Sequence, residues 1–193
     1  MTNFTEYTNN LSHSLEQIDI IDRSGHALDI QDGLTSIINS LNKIKTTHNK
    51  VLIIGNGGSA AIASHLQNDL CKGAHIRAMV FTEPPLLTAL SNDISYNAAY
   101  RELISLWADK NDILIAISSS GRSQNIIDAA NTARDLGCNP IISISGFLSD
   151  NPLRRLGDIN IYISSKEYGN VELAHSTIVH YISDQTLKSD NII

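Results

Sequence analysis

Five short apolar runs, rich in β-branched residues, follow one another along the chain after residue 50. They are VLII (51–54), RAMVF (77–81), ILIAIS (113–118), PIISIS (140–145) and INIYIS (159–164). Continuous apolar character, without alternation, is typical of strands buried on both faces of a parallel sheet. Segments of helical length lie between most of them, at 59–72, 97–109, 124–136 and 171–187. This alternation predicts an α/β fold, a doubly wound three-layer sandwich around five parallel strands.

The first 49 residues have a helical pattern. Apolar residues recur at steps of three and four at Leu11, Leu15, Ile18 and Ile21, and again from Leu34 to Ile44. The polar stretch DRSGHALDIQDG (22–33) separates the two groups. We therefore predict two N-terminal helices (1–49), the first packed on a partner subunit, followed by an α/β core (50–187) and a loose tail (188–193). A chain of 193 residues is long enough to form all of this as a single domain.

Composition argues against several classes of function. The net charge is −6 and is spread along the chain, whereas binding to nucleic acid or to anionic membranes needs a basic face. No apolar run approaches the roughly 20 residues of a membrane span, and the polar segment 1–17 does not resemble a signal peptide. The two cysteines, Cys71 and Cys138, lie far apart, which favours a reduced protein, and two are too few for a thiolate zinc site. We expect a cytoplasmic protein that binds neither nucleic acid nor membrane.

Glycines and a serine follow the first predicted strand in the segment IIGNGGSAA (53–61). Ligands of doubly wound sheets bind at the carboxyl ends of the strands, where this segment lies. Glycines allow the backbone to approach an anion closely, and a helix N-terminus attracts negative charge. Taken alone, the segment fits equally well a tight strand–helix turn in which Ser59 caps the helix.

A second loop at the same predicted edge of the sheet decides between these interpretations. ILIAISSSGRSQNI (113–126) places four hydroxyls after a buried strand, on Ser118, Ser119, Ser120 and Ser123. Hydroxyl and backbone N–H groups at such a position can surround a phosphate without a fixed charge. Arg122 either adds a cation or points into solvent. Two such loops at one sheet edge predict a site for a phosphorylated ligand.

Three motifs then carry a family resemblance. GNGGSA (55–60), SNDISYN (91–97) and ISSSGRS (117–123) occur in the order and approximate spacing of the sugar isomerase (SIS) domain family, and the chain resembles its phosphoheptose isomerases from the N-terminal helices to about residue 187. The resemblance implies a homotetramer with sites at subunit interfaces. It implies that the phosphate is held by Ser118, Ser119, Ser120 and Ser123, and the sugar by Asn56, Gly57, Gly58, Ser59 and Glu172. Asp93 is then expected to contact sugar hydroxyls from a neighbouring subunit.

Two histidines and two carboxylates on two predicted helices suggest a metal or acid–base site. His65 and Asp69 are four residues apart and project from one helical face, about 6 Å from each other. Glu172 and His180 lie eight residues apart on the last helix, two turns apart on roughly one side. Nitrogen and oxygen donors of this kind suit a divalent metal, and zinc in particular.

The resembled family uses the same four positions, usually with the residues His, Glu, Gln and His. This chain departs from that pattern at Asp69, which is one methylene shorter, and at Glu172, which adds a negative charge. It departs again at Lys72 and Gly73, where relatives have a Gly–Arg pair, and at Gly169 and Asn170, where they have Asp and Arg.

The resemblance implies an aldose–ketose isomerase that converts sedoheptulose 7-phosphate to D-glycero-D-manno-heptose 7-phosphate for the heptose of lipopolysaccharide or capsule. Asp69 is expected to act as the base at carbon and His180 as the proton carrier at oxygen. Two alternatives stay open: a non-catalytic phosphosugar-binding regulator, and an isomerase of another sugar phosphate. An acid at position 69 together with His180 favours an enzyme.

Other aromatic and histidine residues fit structural roles better. We expect His175 to be a hydrogen-bonded packing residue, and Trp107 to lie in the core. The remaining histidines stand in polar segments and are predicted to be at the surface: His13, His26, His48 and His75.

Overall fold

A sheet of seven strands forms the centre of the protein in a computed structural model that describes residues 3–188. The strand order is β2-β1-β7-β6-β5-β3-β4. The strands are β1 (Asp19–Asp22), β2 (Ala27–Leu28), β3 (Val51–Gly55), β4 (Ala78–Val80), β5 (Ile113–Ser118), β6 (Ile141–Gly146) and β7 (Ile159–Ile163). The five predicted strands, β3 to β7, are all present and all parallel, which confirms the α/β fold.

Helices cover both faces of this sheet, as predicted for a three-layer sandwich. The helices are α1 (Phe4–Glu16), α2 (Ile30–Ile44), α3 (Gly58–Asn68), α4 (Pro84–Asp93), α5 (Tyr96–Trp107), α6 (Gln124–Asp135) and α7 (Tyr168–Lys188). A hydrophobic core lies on each face of the sheet, and alternate residues of β3 belong to one or the other. Val51 and Ile53 pack with α2, α3 and α7, whereas Leu52 and Ile54 pack with α5 and α6. A strand that is apolar on both faces therefore needs helices on both sides.

The N-terminal segment differs from the prediction of two helices. Helix α1 ends at Glu16, and Ile21 lies in β1, which pairs antiparallel with β7 and with β2. Ile20 is buried, and its side chain occupies the space beside Gly33, where an added Cβ would lie 2.8 Å away. The helical spacing of Ile18 and Ile21 was misleading because the open edge of β7 offers backbone partners to this segment.

Two further differences lie in the region after β4. Helix α4, with Pro84 at its start, was not predicted and contains no buried residue. Trp107, predicted to lie in the core, is 46% exposed because it is the last residue of α5. In the predicted tail, Lys188 is the last residue of α7, and residues 189–193 lie outside the described range.

Helices α3 and α7 run side by side in parallel, since both follow parallel strands. Three contacts between them share one register: Gly58 beside Glu172, Asp69 beside Ser183, and Gly73 beside Leu187, with a separation of 114 residues. This register decides which side chains of the two helices meet. In the described part of the chain, none of the helices has the length and apolar character required to traverse a lipid bilayer.

Candidate active site

The turn between β3 and α3 brings backbone close to the carboxyl edge of the sheet. Gly57 is the N-cap residue, with a positive φ of 53°, and no side chain caps the helix. Ser59, predicted to be the cap, lies instead one residue inside the helix and is buried. Gly55 has to be a glycine, because an added Cβ would lie 2.7 Å from the carbonyl oxygen of Ser59. The first turn of α3 thus presents uncapped backbone N–H groups to the edge where ligands bind.

The serine loop between β5 and α6 lies opposite this turn. Ser118 accepts a hydrogen bond from the N–H of Gly121 at 3.2 Å, and its Oγ lies 3.4 Å from Oγ of Ser123. Gly121 has φ +62°, and an added Cβ there would overlap the side chain of Asn151. The hydroxyl of Ser119 is buried and has no hydrogen-bond partner among residues 3–188. Since an unpaired buried hydroxyl is costly, this group is available to bond with a ligand in the cleft.

The two loops enclose a cleft of about 220 Å³. Its lining residues are Asn56, Gly57, Gly58, Ser59, Ser118, Ser119, Ser120, Ser123, Tyr168 and Glu172. The structure therefore brings together all the residues predicted for phosphate and sugar except Asp93. Glu172 contributes the one formal charge among these lining residues, so the cleft offers hydroxyl and N–H donors rather than a cation.

Asp93 lies elsewhere, exposed at the end of α4, where its carboxylate accepts a hydrogen bond from Asn92 at 2.9 Å. The two candidate cations also lie outside the cleft lining. Arg122 is exposed, with Nη2 3.8 Å from Asp150, and Lys72 is exposed in the turn after α3. None of the described residues that line the cleft is therefore a cation, and Glu172 adds a negative charge.

A second group of functional side chains lies between α3 and α7. Oδ2 of Asp69 is 3.5 Å from Nε2 of His65 and 3.7 Å from Nδ1 of His180. The two imidazole rings pack edge to face with their centroids 4.6 Å apart. Donor atoms of all three residues lie within 4.8 Å of one another. Both histidines are about half-exposed, whereas the Asp69 side chain is 21% exposed.

A local irregularity follows α3 and begins at Asp69. The helix passes into a π-helical turn over Asp69–Gly73, closed by a hydrogen bond from the N–H of Ala74 to the carbonyl of Asp69. Turns of this kind are frequent at functional sites because they redirect side chains. The hydroxyl of the buried Ser183 lies 3.3 Å from Oδ2 of Asp69 and 3.0 Å from the carbonyl oxygen of His180, so its one proton is shared between these two acceptors.

Glu172, predicted as the fourth ligand, is not part of this group. The parallel register places its carboxylate beside Gly58 in the cleft, whereas His180 lies eight residues later. Eight residues correspond to about 12 Å along a helix, so Glu172 and His180 face different turns of α3. The structure thus divides the predicted set of four into a three-residue cluster and a cleft residue.

The cluster of His65, Asp69 and His180 fits a divalent metal ion. Two imidazole nitrogens and one carboxylate oxygen are donors that transition metals accept. Ligands about 2.1 Å from a tetrahedral ion lie roughly 3.4 Å apart, close to the two distances from Asp69 Oδ2. Three protein ligands with one open position is the arrangement of catalytic rather than structural sites.

Four residues near these sites were not singled out from the sequence. Tyr96 stands inside the SNDISYN motif, and its hydroxyl donates to Asn56 at 2.7 Å. Asn125 follows the serine loop and pairs with the same amide at 2.9 Å. Their polar character at loop ends is a usable signal. Tyr168 and Ser183 give none, because their positions depend on how α7 packs.

His175 is a packing residue, as predicted. It is fully buried, and its Nε2 lies 3.2 Å from the carbonyl oxygen of Ser145. Burial lowers the pKa of His175 to about 4, although the Ser145 carbonyl opposes this shift. The four histidines predicted at the surface are all exposed: His13, His26, His48 and His75.

Comparison with known families agrees with these features. The model of the SIS domain matches residues 6–146. Phosphoheptose isomerase from Aliarcobacter butzleri is 36% identical over 141 residues, which are 69% of this chain and 73% of that protein. Phosphoheptose isomerase from Pelobacter propionicus is 32% identical over 149 residues, which are 73% of this chain and 77% of that protein.

Solved structures show the same fold. Phosphoheptose isomerase GmhA from Neisseria gonorrhoeae superposes with a TM-score of 0.81 at 20% identity, covering 95% of this chain and 94% of that one. A phosphoheptose isomerase from Francisella tularensis gives 0.81 at 22% identity, covering 94% and 95%. The chain belongs to the SIS domain family, and within it to the phosphoheptose isomerases.

Proposed function

We propose that this protein is an aldose–ketose isomerase that converts sedoheptulose 7-phosphate to D-glycero-D-manno-heptose 7-phosphate. One observation carries the proposal: a cleft with a buried, unpaired Ser119 hydroxyl lies on the same pair of helices as the His65–Asp69–His180 cluster. The cleft suits a phosphate, and the histidine–aspartate cluster suits proton transfer. The identity to phosphoheptose isomerases supports this reading.

The distance between the two groups supports a substrate of this length. His65 follows Gly58 by seven residues on α3, which is about 10 Å along the helix axis. A seven-carbon chain with a terminal phosphate has eight bonds from C1 to phosphorus, and each adds about 1.2 Å when extended, as in a polypeptide. Such a sugar, with its phosphate at the serine loop, extends along α3 toward the turn that carries His65, and Asp69 lies one helical turn further on.

The reaction moves a proton between C1 and C2 through an enediol. Asp69 removes the proton from C1 while His180 gives a proton to the carbonyl oxygen on C2. The return step places the proton from Asp69 on C2, and the O1 hydroxyl gives its proton to His180, which leaves the aldehyde at C1. No atom is gained or lost, and both residues end in the state in which they began.

His65, Asp69 and His180 would hold a divalent metal ion, for which we propose zinc. The ion supplies Lewis-acid polarisation of the carbonyl oxygen when it is bound. Asp69 would help to hold the ion in the absence of substrate and would act as the base in its presence, since a tightly coordinated carboxylate accepts protons poorly. His65 keeps a purely holding role.

Assembly into a homotetramer in the cytoplasm completes the proposal. Asp93 lies outside the cleft of its own protomer, at the end of a helix with no buried residue. An exposed α4 that covers a neighbouring cleft would bring Asp93 to the sugar hydroxyls. The product would enter heptose synthesis for lipopolysaccharide or capsule.

Turnover of sedoheptulose 7-phosphate by Asp69→Asn and His180→Ala variants tests the mechanism. We expect each substitution to lower kcat by about 10²–10⁴-fold, with the circular dichroism of the wild type retained. Near-wild-type rates in both would overturn it. Solvent deuterium uptake into a panel of sugar phosphates decides the alternatives: exchange with a hexose phosphate alone indicates a different substrate, and no exchange with any sugar indicates a binding protein.

A further inference from the structure

A closed hydrogen-bond network holds the side chain of Asn56 at the edge of the cleft. The Tyr96 hydroxyl donates to Asn56 Oδ1 at 2.7 Å. Asn125 Nδ2 donates to the same oxygen at 3.0 Å, and Asn56 Nδ2 donates back to Asn125 Oδ1 at 2.9 Å. The two amides thus pair face to face, and the tyrosine adds a third bond from a different helix.

One orientation of the two amides satisfies all four of these hydrogen bonds at once. The backbone N–H of Ile126 can only donate, and it lies 3.0 Å from Asn125 Oδ1 and 3.1 Å from the carbonyl of Ser123. The bond to Oδ1 is made only when Asn125 turns its oxygen toward Ile126. Asn125 then turns Nδ2 toward Asn56, and Oδ1 of Asn56 accepts a hydrogen bond from it. Within this network, Oδ1 of Asn56 accepts two hydrogen bonds and Nδ2 donates one. The second N–H of Nδ2 is not used by the network. Asn56 lines the cleft, so this N–H is a donor for a ligand oxygen.

We propose that Tyr96 is a positioning residue that fixes the Asn56 amide as a hydrogen-bond donor to a hydroxyl oxygen of the sugar. The inference rests on the proposed function for the identity of the ligand, but not for the orientation of the amide. Without the tyrosine hydroxyl, Asn56 Oδ1 keeps one partner instead of two, and the side chain gains freedom to rotate.

The neighbouring Tyr100 shows the difference between positioning and support. It lies one turn after Tyr96 on α5, is 2% exposed, and donates to the carbonyl of Gly55 at 2.6 Å. Burial raises the pKa of Tyr100 to about 12, so it remains a donor at all relevant pH values. Tyr100 braces the backbone of the glycine turn, whereas Tyr96, which is 46% exposed, reaches only the amide side chain.

The Tyr96→Phe variant removes one oxygen and keeps the ring. Tyr181→Phe is the matched control, since its hydroxyl pairs with Gln31 at 3.3 Å, away from the cleft. NMR spectra of ligand-free protein report the Asn56 side-chain amide, which is assigned by its absence from Asn56→Ala. We expect this resonance pair to shift in Tyr96→Phe and to stay in place in Tyr181→Phe.

Calorimetric titration supplies the second readout. We expect Tyr96→Phe to raise the Kd of sedoheptulose 7-phosphate about 3–10-fold, which is the range of one hydrogen bond. The Kd of inorganic phosphate should stay unchanged. In the Asn56→Ala background, Tyr96→Phe should cause no further loss, because the pair acts as one unit.

Several results would overturn the inference: an unshifted Asn56 amide, equal weakening of sugar phosphate and inorganic phosphate, or an additive loss in Asn56→Ala. A wild-type chain that binds inorganic phosphate but no sedoheptulose 7-phosphate would overturn the proposed substrate instead. In that case the ligand-free spectra still decide whether Tyr96 orients Asn56.

Discussion

The hydroxyl of Ser183 lies 3.3 Å from Oδ2 of Asp69, the same carboxylate oxygen that faces His65 and His180. Ser183 is 1% exposed, and its hydroxyl also lies 3.0 Å from the carbonyl of His180. This contact joins α7 to the π-helical turn and holds the carboxylate toward the centre of the cluster. Groups that orient a metal ligand in this way contribute to metal affinity without touching the ion.

Removal of the Ser183 hydroxyl should therefore weaken metal binding. We expect Ser183→Ala to raise the Kd for Zn²⁺ about tenfold, measured by competition with a chromophoric chelator. Thr177→Val is the control, because it removes an exposed hydroxyl of the same helix that bonds only to the carbonyl of Leu173. Equal affinities of Ser183→Ala and wild type would show that Asp69 needs no support from α7.

The sequence was sufficient to pair His65 with Asp69, because residues four apart on a helix share a face. It was not sufficient to place Glu172 and Ser183. Both positions depend on the register between α3 and α7, which is set by packing of their buried faces and leaves no periodic trace in either segment. A spacing of eight residues looked suitable for one site, but it spans two turns of the neighbouring helix.

The fold, too, was predictable from the sequence only in part. The parallel strands were predictable because each is a continuous apolar run, and β-branched residues favour such buried strands. The β1–β2 hairpin was not, since Ile18 and Ile21 fit a helical step as well as a short strand. Only the unpaired backbone of β7, far along the chain, decides between the two structures. Helix α4 was missed for a related reason: it buries no residue and so shows no clear apolar stripe.

Substitution of Glu172 tests whether this residue acts in the cleft or as a ligand of the metal. Its carboxylate lies beside Gly58 in the cleft that is proposed to hold a phosphate, so the two negative charges repel each other. We expect Glu172→Gln to lower the Kd of inorganic phosphate about 3–10-fold at low salt and to leave the Kd for Zn²⁺ unchanged. Titration calorimetry measures both.

Glu167→Gln is the charge-matched control, because Glu167 is exposed and does not line the cleft. It should change neither phosphate nor metal affinity. A loss of zinc affinity in Glu172→Gln, without a gain for phosphate, would assign Glu172 to the metal instead.

Ser119 is expected to show a conflict between binding and stability. Its buried hydroxyl has no partner in the described part of the chain, so Ser119→Ala removes a cost to folding and a donor for phosphate together. We expect the free energy of unfolding to stay unchanged or to rise by about 1 kcal/mol, while the Kd of inorganic phosphate rises about tenfold. Urea denaturation and calorimetry report the two quantities.

Ser143→Ala provides the comparison, because the equally buried Ser143 hydroxyl donates to Asn160 at 2.6 Å. This variant should lose about 1–3 kcal/mol of stability and keep its phosphate affinity. If Ser119→Ala were destabilised to the same extent, its hydroxyl would have a partner within the protein after all.

His175 predicts how stability depends on pH. Burial, partly opposed by the Ser145 carbonyl, lowers the pKa of this histidine from 6.5 to about 4 in the folded protein. The unfolded chain therefore binds a proton between these two values and the folded protein does not. By linkage, stability is fully present above pH 6.5 and falls as the pH falls toward 4, by about 3 kcal/mol in total from this group.

His175→Gln removes the titrating group and keeps a polar side chain opposite Ser145. Urea denaturation at pH 7.5, 6.0 and 5.0 should show a shallower loss of stability in this variant than in the wild type. His48→Gln is the control at an exposed position outside the core, and it should keep the wild-type slope. Parallel curves for His175→Gln and the wild type would mean that His175 takes up its proton while still folded.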